Sequence, residues 1–363
     1  MNNIFSVTEI GASHIKCNKE CQDASATYYD GVSAVIVVSD GHGGDDYVRS
    51  AIGSATVCEV LVGVWKTSDL RRKLLTAENY QKDIYHITTY LMEFKNKILT
   101  EWRHRIHKHF EDKPITPEEL EKVSERARCQ YEQGERIEKA YGCTLIGAMA
   151  TRLGCVYLQI GDGVCVTKTG GEYRLPLPED ESCQFNITTS MCDVNAEEKI
   201  RIEYSEKLPD AIFLSSDGVE NSFVSAEYMH KFFDTVHESA RDERCEEMMA
   251  ELKGFLGRLS KKGSGDDMSV ACMFLDETFF NSDSNDKTVR LDSLKSEASL
   301  QHDNQNQENT QSKVIEPEKT SQESEQEDTK TNLYENVNSG EKKLSWWKRF
   351  AMWLRNIFRR NKG

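Results

Sequence analysis

The stretch "VVSDGHGG", residues 37–44, decides how this chain is read. Small and β-branched residues run straight into Asp40, and a Gly, a His and two more Gly follow. A buried strand that ends in a carboxylate and a glycine turn sets that carboxylate at the strand mouth. What the stretch does therefore depends on whether other acidic residues arrive at the same place.

Working outward, "SAVIVVSD" (33–40), "CTLIGAMAT" (143–151), "CVYLQIGD" (155–162), "AIFLSSDG" (211–218) and "MSVACMFL" (268–275) are short runs rich in Val, Ile and Leu. Their length and their Gly, Asp or Ser endings predict buried strands. The hundred or so residues between the first two runs differ in character. Leu91, Phe94, Ile98 and Trp102 recur at helical spacing, and Thr116-Pro117-Glu118-Glu119 opens a helix expected to continue through "EKVSERARCQYEQ". A later helix is expected at about 225–260, ahead of the last strand. No internal repeat is visible.

Five acidic residues share one local grammar, an apolar strand or its flanking turn, with a Gly beside the Asp in all but the first. They are Asp23 in "CQDAS", Asp40 in "SDGHGG", Asp162 in "IGDGV", Asp217 in "SSDGVENSF" and Asp266 in "GSGDDMSV". Any one of them alone reads as a turn. Five of them, none with an obvious Lys or Arg partner, would repel one another unless a cation neutralised the cluster. Carboxylates and water suit hard divalent ions such as Mg²⁺ and Mn²⁺, and two such ions can activate water against a phosphoryl group. The residues thus predict an acidic, hydrolytic metal site without naming its substrate.

"CQDA", "VVSDGHGG", "YGCTL", "QIGDG", "LSSDGVENSF" and "SGDDMSV" occur in the order and at roughly the spacing of the motifs of PP2C-type (PPM) metal-dependent serine/threonine phosphatases. The chain resembles the bacterial branch of that family over about residues 5–276. The resemblance implies an α-β-β-α sandwich, two central sheets flanked by helix pairs, with a metal cleft at one end. It implies that Asp23, Asp40, Asp217 and Asp266 ligate two Mn²⁺ or Mg²⁺ ions, with Asp40 bridging and Gly41 lending its carbonyl. Asp162 would hold a third ion with Asp217, and Asp267 would support the ligands from behind. His42 looks like the general acid that protonates the leaving seryl or threonyl oxygen. The activity implied is hydrolysis of phosphoserine and phosphothreonine in proteins by a metal-bridging hydroxide. A phosphoprotein substrate and a cognate kinase would be its partners.

The match also departs from the family. An Arg that grips phosphate is usual five residues before the first Asp, and Asn18 stands there. His14, Lys16 and Lys19 are the candidate stand-ins, although no Lys offers a bidentate fork. The family's "GDS-R" is "GDGV", and the segment between Asp162 and Asp217 is too short for the flap of eukaryotic members. The competing reading is a pseudophosphatase that binds phosphoproteins with little turnover.

Composition sets the remaining bounds. The chain has 363 residues and a net charge of −15, which argues against nucleic-acid binding. Its 11 Cys show no repeated spacing, and "MNNIFSVTEIGASH" lacks the features of a signal peptide, so reduced thiols and a cytoplasmic setting are expected. His14, Cys17 and Cys21 lack the second pair that a zinc site needs. Cys21, Cys143 and Cys165 read as small hydrophobes rather than redox sensors. The domain expected at 1–280 gives way at 281–341 to a stretch with 14 Asp/Glu and 6 Lys/Arg, which reads as a disordered acidic linker. In "KKLSWWKRFAMWLRNIFRRNKG" (342–363), Trp346, Phe350, Trp353, Leu354 and Ile357 share one helical face, with Lys348, Arg355 and Arg359 opposite. With no charge-free run longer than five residues, that segment reads as a helix in an anionic membrane surface, placing the enzyme peripherally on the inner face. Docking on a partner protein or on the chain's own core is the alternative.

Overall fold

Every residue of the strand Ser33–Ser39 is buried, and its two faces belong to different cores. Val35 and Val37 pack with Val57, Leu61, Trp65 and Ile98, whereas Ala34, Ile36 and Val38 pack with Ile212, Leu214, Ala271 and Met273. Because side chains alternate across a strand, helices cover one face and a second sheet covers the other. The computed structural model describes residues 3–280 apart from 77–79, 179, 181–182, 184–187, 243–244 and 277. The expected linker (281–341) and basic segment (342–363) lie outside the described residues.

The strands in chain order are β1 (Ile4–Glu9), β2 (Ala24–Tyr29), β3 (Ser33–Ser39), β4 (Leu145–Thr151), β5 (Gly154–Ile160), β6 (Val164–Thr169), β7 (Glu172–Arg174), β8 (Arg201–Ser205), β9 (Ala211–Ser215) and β10 (Met268–Phe274). The helices are α1 (Ala12–Cys17), α2 (Ser50–Thr67), α3 (Asp69–Thr76), α4 (Tyr80–Asp112), α5 (Pro117–Leu120), α6 (Glu125–Glu132), α7 (Ile137–Ala140), α8 (Ala196–Lys199), α9 (Asp217–Glu220), α10 (Ala226–Asp242) and α11 (Cys245–Lys262). One sheet runs β1-β10-β9-β6-β7 and the other β2-β3-β4-β5-β8. All pairings between named strands are antiparallel. Phe213, Val270, Cys272 and Phe274 face outward onto Phe232, Phe233, Leu252 and Leu256 of α10 and α11. The result is the expected α-β-β-α sandwich of two sheets between helix pairs.

Two helices differ from expectation. Residues 116–133 form two short helices. α5 stops after one turn closed by a Thr116–Glu119 capping box, and Ser124 then caps α6 by accepting from Ala127 N. Asp46 fixes the break, because the Ser124 backbone N and hydroxyl both donate to its carboxylate, at 2.8 and 3.1 Å. A tertiary anchor thus overrides a continuous helical pattern. The helix expected at 225–260 is likewise two, α10 and α11. A single helix of that length would run about 54 Å, far beyond the ~23 Å of a seven-residue strand. Two helices instead lay both apolar faces on one sheet.

Register sets the site at one end of each sheet. Ala24, next to Asp23, pairs with Ser39, next to Asp40. Ser215, two residues before Asp217, pairs with both Val164 and Val270. The Thr8 hydroxyl bonds those of Ser25 and Ser269, each at 2.8 Å, and so ties the two sheets together at this end. Among the described residues no helix is long and apolar enough to cross a membrane.

Candidate metal centre

Asp23 precedes β2 and is 7 % exposed. Both its carboxylate oxygens are buried without a hydrogen-bond partner. The hydroxyls of Ser216 and Ser269 draw near enough to favour the charged form, short of a full bond at ordinary geometry. Burial dominates and pushes the carboxyl up to about 8, with Asp267 and Asp217 adding repulsion. Asp40 follows β3, where its backbone N donates to Thr144 Oγ1 at 2.9 Å and its carbonyl accepts from Thr144 N at 2.8 Å. Its pKa is driven well above the carboxylate range by burial first, then by Asp23, Asp217 and Asp266. Asp217 opens α9; burial, Asp162 and Asp266 raise it, while its contact with the Asp40 carboxyl partly offsets them. One Asp217 oxygen accepts from Asn221 at 3.0 Å, and the other is buried without a partner. The sequence-predicted carboxylates Asp23, Asp40, Asp217 and Asp266 are therefore brought together, with Asp162 close enough to act on Asp217 and His42.

Glycines make this crowding possible. A Cβ on Gly41 would stand 2.6 Å from the Gln22 carbonyl oxygen and 2.9 Å from the Ser50 backbone. On Gly218 it would stand 2.2 Å from the Asp267 carbonyl oxygen, so the "SSDG" turn lies directly on the "GDD" turn. Gly161 adopts a left-handed φ of +108° against Thr144, and its N donates to Thr189 Oγ1 at 2.9 Å.

Asp267 behaves differently from its neighbour. Asp266 is about half exposed, whereas Asp267 is buried and accepts from Gly11 N and Gln22 N, both at 2.6 Å. His14 Nδ1 lies 2.9 Å from the same carboxylate and His14 Nε2 lies 3.9 Å from Asp266. Asp267 thus ties the β1–α1 turn and the "CQD" loop to the cluster. Of the phosphate-binding candidates, His14 is engaged with these carboxylates, Lys16 is exposed, and Lys19 Nζ donates to the Gly43 carbonyl at 3.4 Å. Asn18 caps α1 in the left-handed conformation.

His42 is half-buried. Its backbone N donates to the Gly142 carbonyl, its ring stands edge-on to Tyr47 at 4.8 Å, and its Nε2 lies 2.7 Å from Ser190 Oγ. Burial lowers its pKa, against smaller opposing effects of Asp162 and Asp193. An open cleft of about 600 Å³ adjoins Asp162, lined among others by Tyr173, Arg201, Glu220 and His230. Arg201 Nη2 donates to the Gly161 carbonyl at 3.5 Å and its Nε lies 3.9 Å from Asp180. Cys143 and Cys165 are buried and Cys21 half-buried; burial raises all three thiols.

The donor set is all oxygen, and the unpartnered Asp23 and Asp217 oxygens are what a hard cation would satisfy. Among the described residues no three His, Cys, Asp or Glu side chains already stand as ligands around one point. An ion of this kind binds through one or two carboxylates and keeps several waters, so the residues fit it. Sequence reasoning missed Thr144, Thr189, Ser190 and Gln22, which hold the site through contacts distant in sequence.

A helix-flanked double sheet that gathers oxygen donors and a histidine at one end defines a metal-dependent hydrolase. The family model described as "Protein phosphatase 2C" matches residues 10–257, and the chain belongs to that family of metal-dependent serine/threonine phosphatases. Similar solved structures include the serine/threonine phosphatase Stp1 from Staphylococcus aureus, at 12% identity, covering 76% of this chain and 96% of that one with a TM-score of 0.48. The serine-threonine phosphatase 2C from Toxoplasma gondii has 11% identity, coverage of 75% and 94%, and a TM-score of 0.47. PppA, a regulatory component of T6SS in Pseudomonas aeruginosa, has 17% identity, coverage of 75% and 97%, and a TM-score of 0.44. No curated protein matches the sequence.

Proposed function

We propose that the chain dephosphorylates phosphoserine and phosphothreonine in proteins at the acidic cluster, using two Mn²⁺ or Mg²⁺ ions and a third beside Asp162. The observation that carries this reading is the set of buried Asp23 and Asp217 oxygens without partners, in carboxyls whose pKa values burial and mutual repulsion have raised. Asp23, Asp40, Asp217, Asp266 and the Gly41 carbonyl would hold the pair, and Asp162 with Asp217 the third. Such ions, when bound, neutralise phosphoryl charge and make water nucleophilic at neutral pH.

The chain's own residues supply the rest. Asp267 keeps the Gly11 and Gln22 turns in place beneath the ligands. His42 gives its proton to the leaving oxygen, and burial, by disfavouring the charged ring, makes that proton easier to release. Lys19, beside the "SDGHGG" turn, is the cation we assign to the substrate phosphate. A cognate kinase would be the opposing partner, and residues 342–363 would bring the enzyme to an anionic membrane surface.

Asn18 in place of Arg favours the second reading, a phosphoprotein-binding pseudophosphatase. Phosphate release from a phosphothreonine peptide by the full chain, with and without Mn²⁺, separates the two. Metal-dependent release that Asp217→Asn abolishes is expected. A folded, Mn²⁺-binding protein without turnover would establish the pseudophosphatase instead.

A further inference from the structure

Ser190 is 3 % exposed, and four polar groups converge on its hydroxyl. His42 Nε2 lies 2.7 Å from its Oγ, the Cys143 carbonyl oxygen 3.1 Å, the Cys192 thiol 3.2 Å, and the Cys192 backbone N, which donates to it, 3.3 Å. We propose that Ser190 is the positioning residue for His42, holding the Nε2 side of the ring so that Nδ1 delivers the proton. This rests on the reading of His42 as the general acid.

Counting protons and lone pairs supports the assignment. A hydroxyl has one proton to give and two lone pairs to receive. The Cys143 carbonyl only accepts and the Cys192 N–H only donates. An imidazolium donates from both nitrogens. In the acid form of His42, Nε2–H therefore donates to Ser190, and the Ser190 proton runs on to the Cys143 carbonyl. The one proton and two lone pairs of Ser190 are then all used, by the Cys143 carbonyl, His42 Nε2 and Cys192 N, with the Cys192 thiol left as a weak contact, and Nδ1–H is the ring proton left for transfer. It moves to the seryl or threonyl oxygen as the P–O bond breaks. The ring ends neutral, with Nε2–H still on Ser190.

The surroundings hold both partners still. Met191 N donates to the Cys143 carbonyl at 2.9 Å, and Ser190 N donates to Asp193 Oδ2 at 3.0 Å. Lys199 Nζ donates to the same Asp193 oxygen at 2.8 Å. A Cβ on Gly142 would stand 2.8 Å from His42 Cδ2, so only glycine leaves room for the ring in this orientation. The preceding residue, Thr189, accepts from Gly161 N. Residues 189–193 thus clamp His42 and the turn that carries Asp162 together.

The test compares a phosphothreonine peptide with p-nitrophenyl phosphate, whose leaving group departs without help from an acid, using the full chain in Mn²⁺. Ser190→Ala should lower the ratio of peptide to aryl kcat about tenfold, and Ser190→Thr, which keeps the hydroxyl, should restore it. In a His42→Ala background, Ser190→Ala should change the ratio no further. If Ser190→Ala does not fold, Ser190→Cys, similar in shape and a weaker acceptor, must still lower the ratio. Equal losses on both substrates would mean that the hydroxyl only supports the loop, and would overturn the proposal. A ratio that shifts in His42→Ala but not in the Ser190 variants would overturn it while leaving His42 as the acid. A ratio unmoved by His42→Ala would remove the general-acid reading itself.

Discussion

Asp23 shows how an isolated side chain reports on its purpose. A carboxylate buried with neither oxygen bonded opposes folding whenever it is charged, and its pKa of about 8 expresses that cost. With the folded value above the unfolded one, the group's favourable contribution is complete below about pH 4 and is lost as pH rises through about 8. In EDTA the protein should therefore lose stability between those limits. Asp23→Asn should flatten that slope and gain about 1–3 kcal/mol at pH 8 while losing phosphatase activity. Mn²⁺ should stabilise the parent chain more than the variant. Denaturant unfolding at pH 5 and pH 8, with EDTA or Mn²⁺, measures all three differences. A variant less stable than its parent in EDTA at pH 8 would mean that Asp23 is satisfied in some other way.

Among the elements, legibility in the sequence tracks position in the sheets. β3, β4, β5, β9 and β10 stand out as apolar runs because every residue in each is buried. β1, β2, β7 and β8 are the four sheet edges, and their half-exposed, polar sequences carry no such signal. β6 is buried only over its first four residues. Asp40, Asp162, Asp217 and Asp266 were legible for the same reason as the central strands, since each adjoins a Gly at a strand end, whereas Asp23 precedes an edge strand and has no such neighbour. Ser190 was not, because it meets His42 from 148 residues away. Arg49 was equally hidden, and it shows how the helical insertion is fastened beside the site. It is 5 % exposed, donates from Nε and Nη2 to the two Glu119 oxygens at 2.9 Å, and reaches the Lys113 and Pro114 carbonyls and the Tyr141 hydroxyl. Arg49→Ala strips the Lys113 and Pro114 carbonyls and most of the Glu119 charge of their donor, although Thr116 N still reaches Glu119 and His109 still reaches Tyr141, and should cost about 3–5 kcal/mol in denaturant unfolding. A loss below about 1 kcal/mol would mean that water replaces the guanidinium freely.

For the whole molecule, the proposed recruitment to an anionic membrane must contend with the acidity of the chain. Residues 281–341 carry 14 acidic and 6 basic side chains, and residues 342–363 carry eight basic ones and no acid. The two segments cancel, so residues 1–280 hold the entire −15. A surface that attracts the terminal segment therefore repels the catalytic part, and distance must separate the two effects. On the linker reading proposed for residues 281–341, an unstructured chain of 61 residues would have a root-mean-square span of about 45 Å, whereas charges are screened beyond ~8 Å at physiological salt. On the proposed membrane reading, the catalytic part would stay outside the field that holds the tail, and its effective concentration near membrane-bound phosphoproteins would rise. The full chain should sediment with vesicles of phosphatidylcholine containing phosphatidylserine and much less with phosphatidylcholine alone, with each basic residue near the surface contributing about 1 kcal/mol. Salt should weaken binding through those charges. Trp346→Ala with Trp353→Ala should weaken it at every salt concentration, because these side chains bury apolar area rather than charge. Equal sedimentation of the full chain and of residues 1–280 would remove the membrane reading and leave the apolar face of the segment to a partner protein.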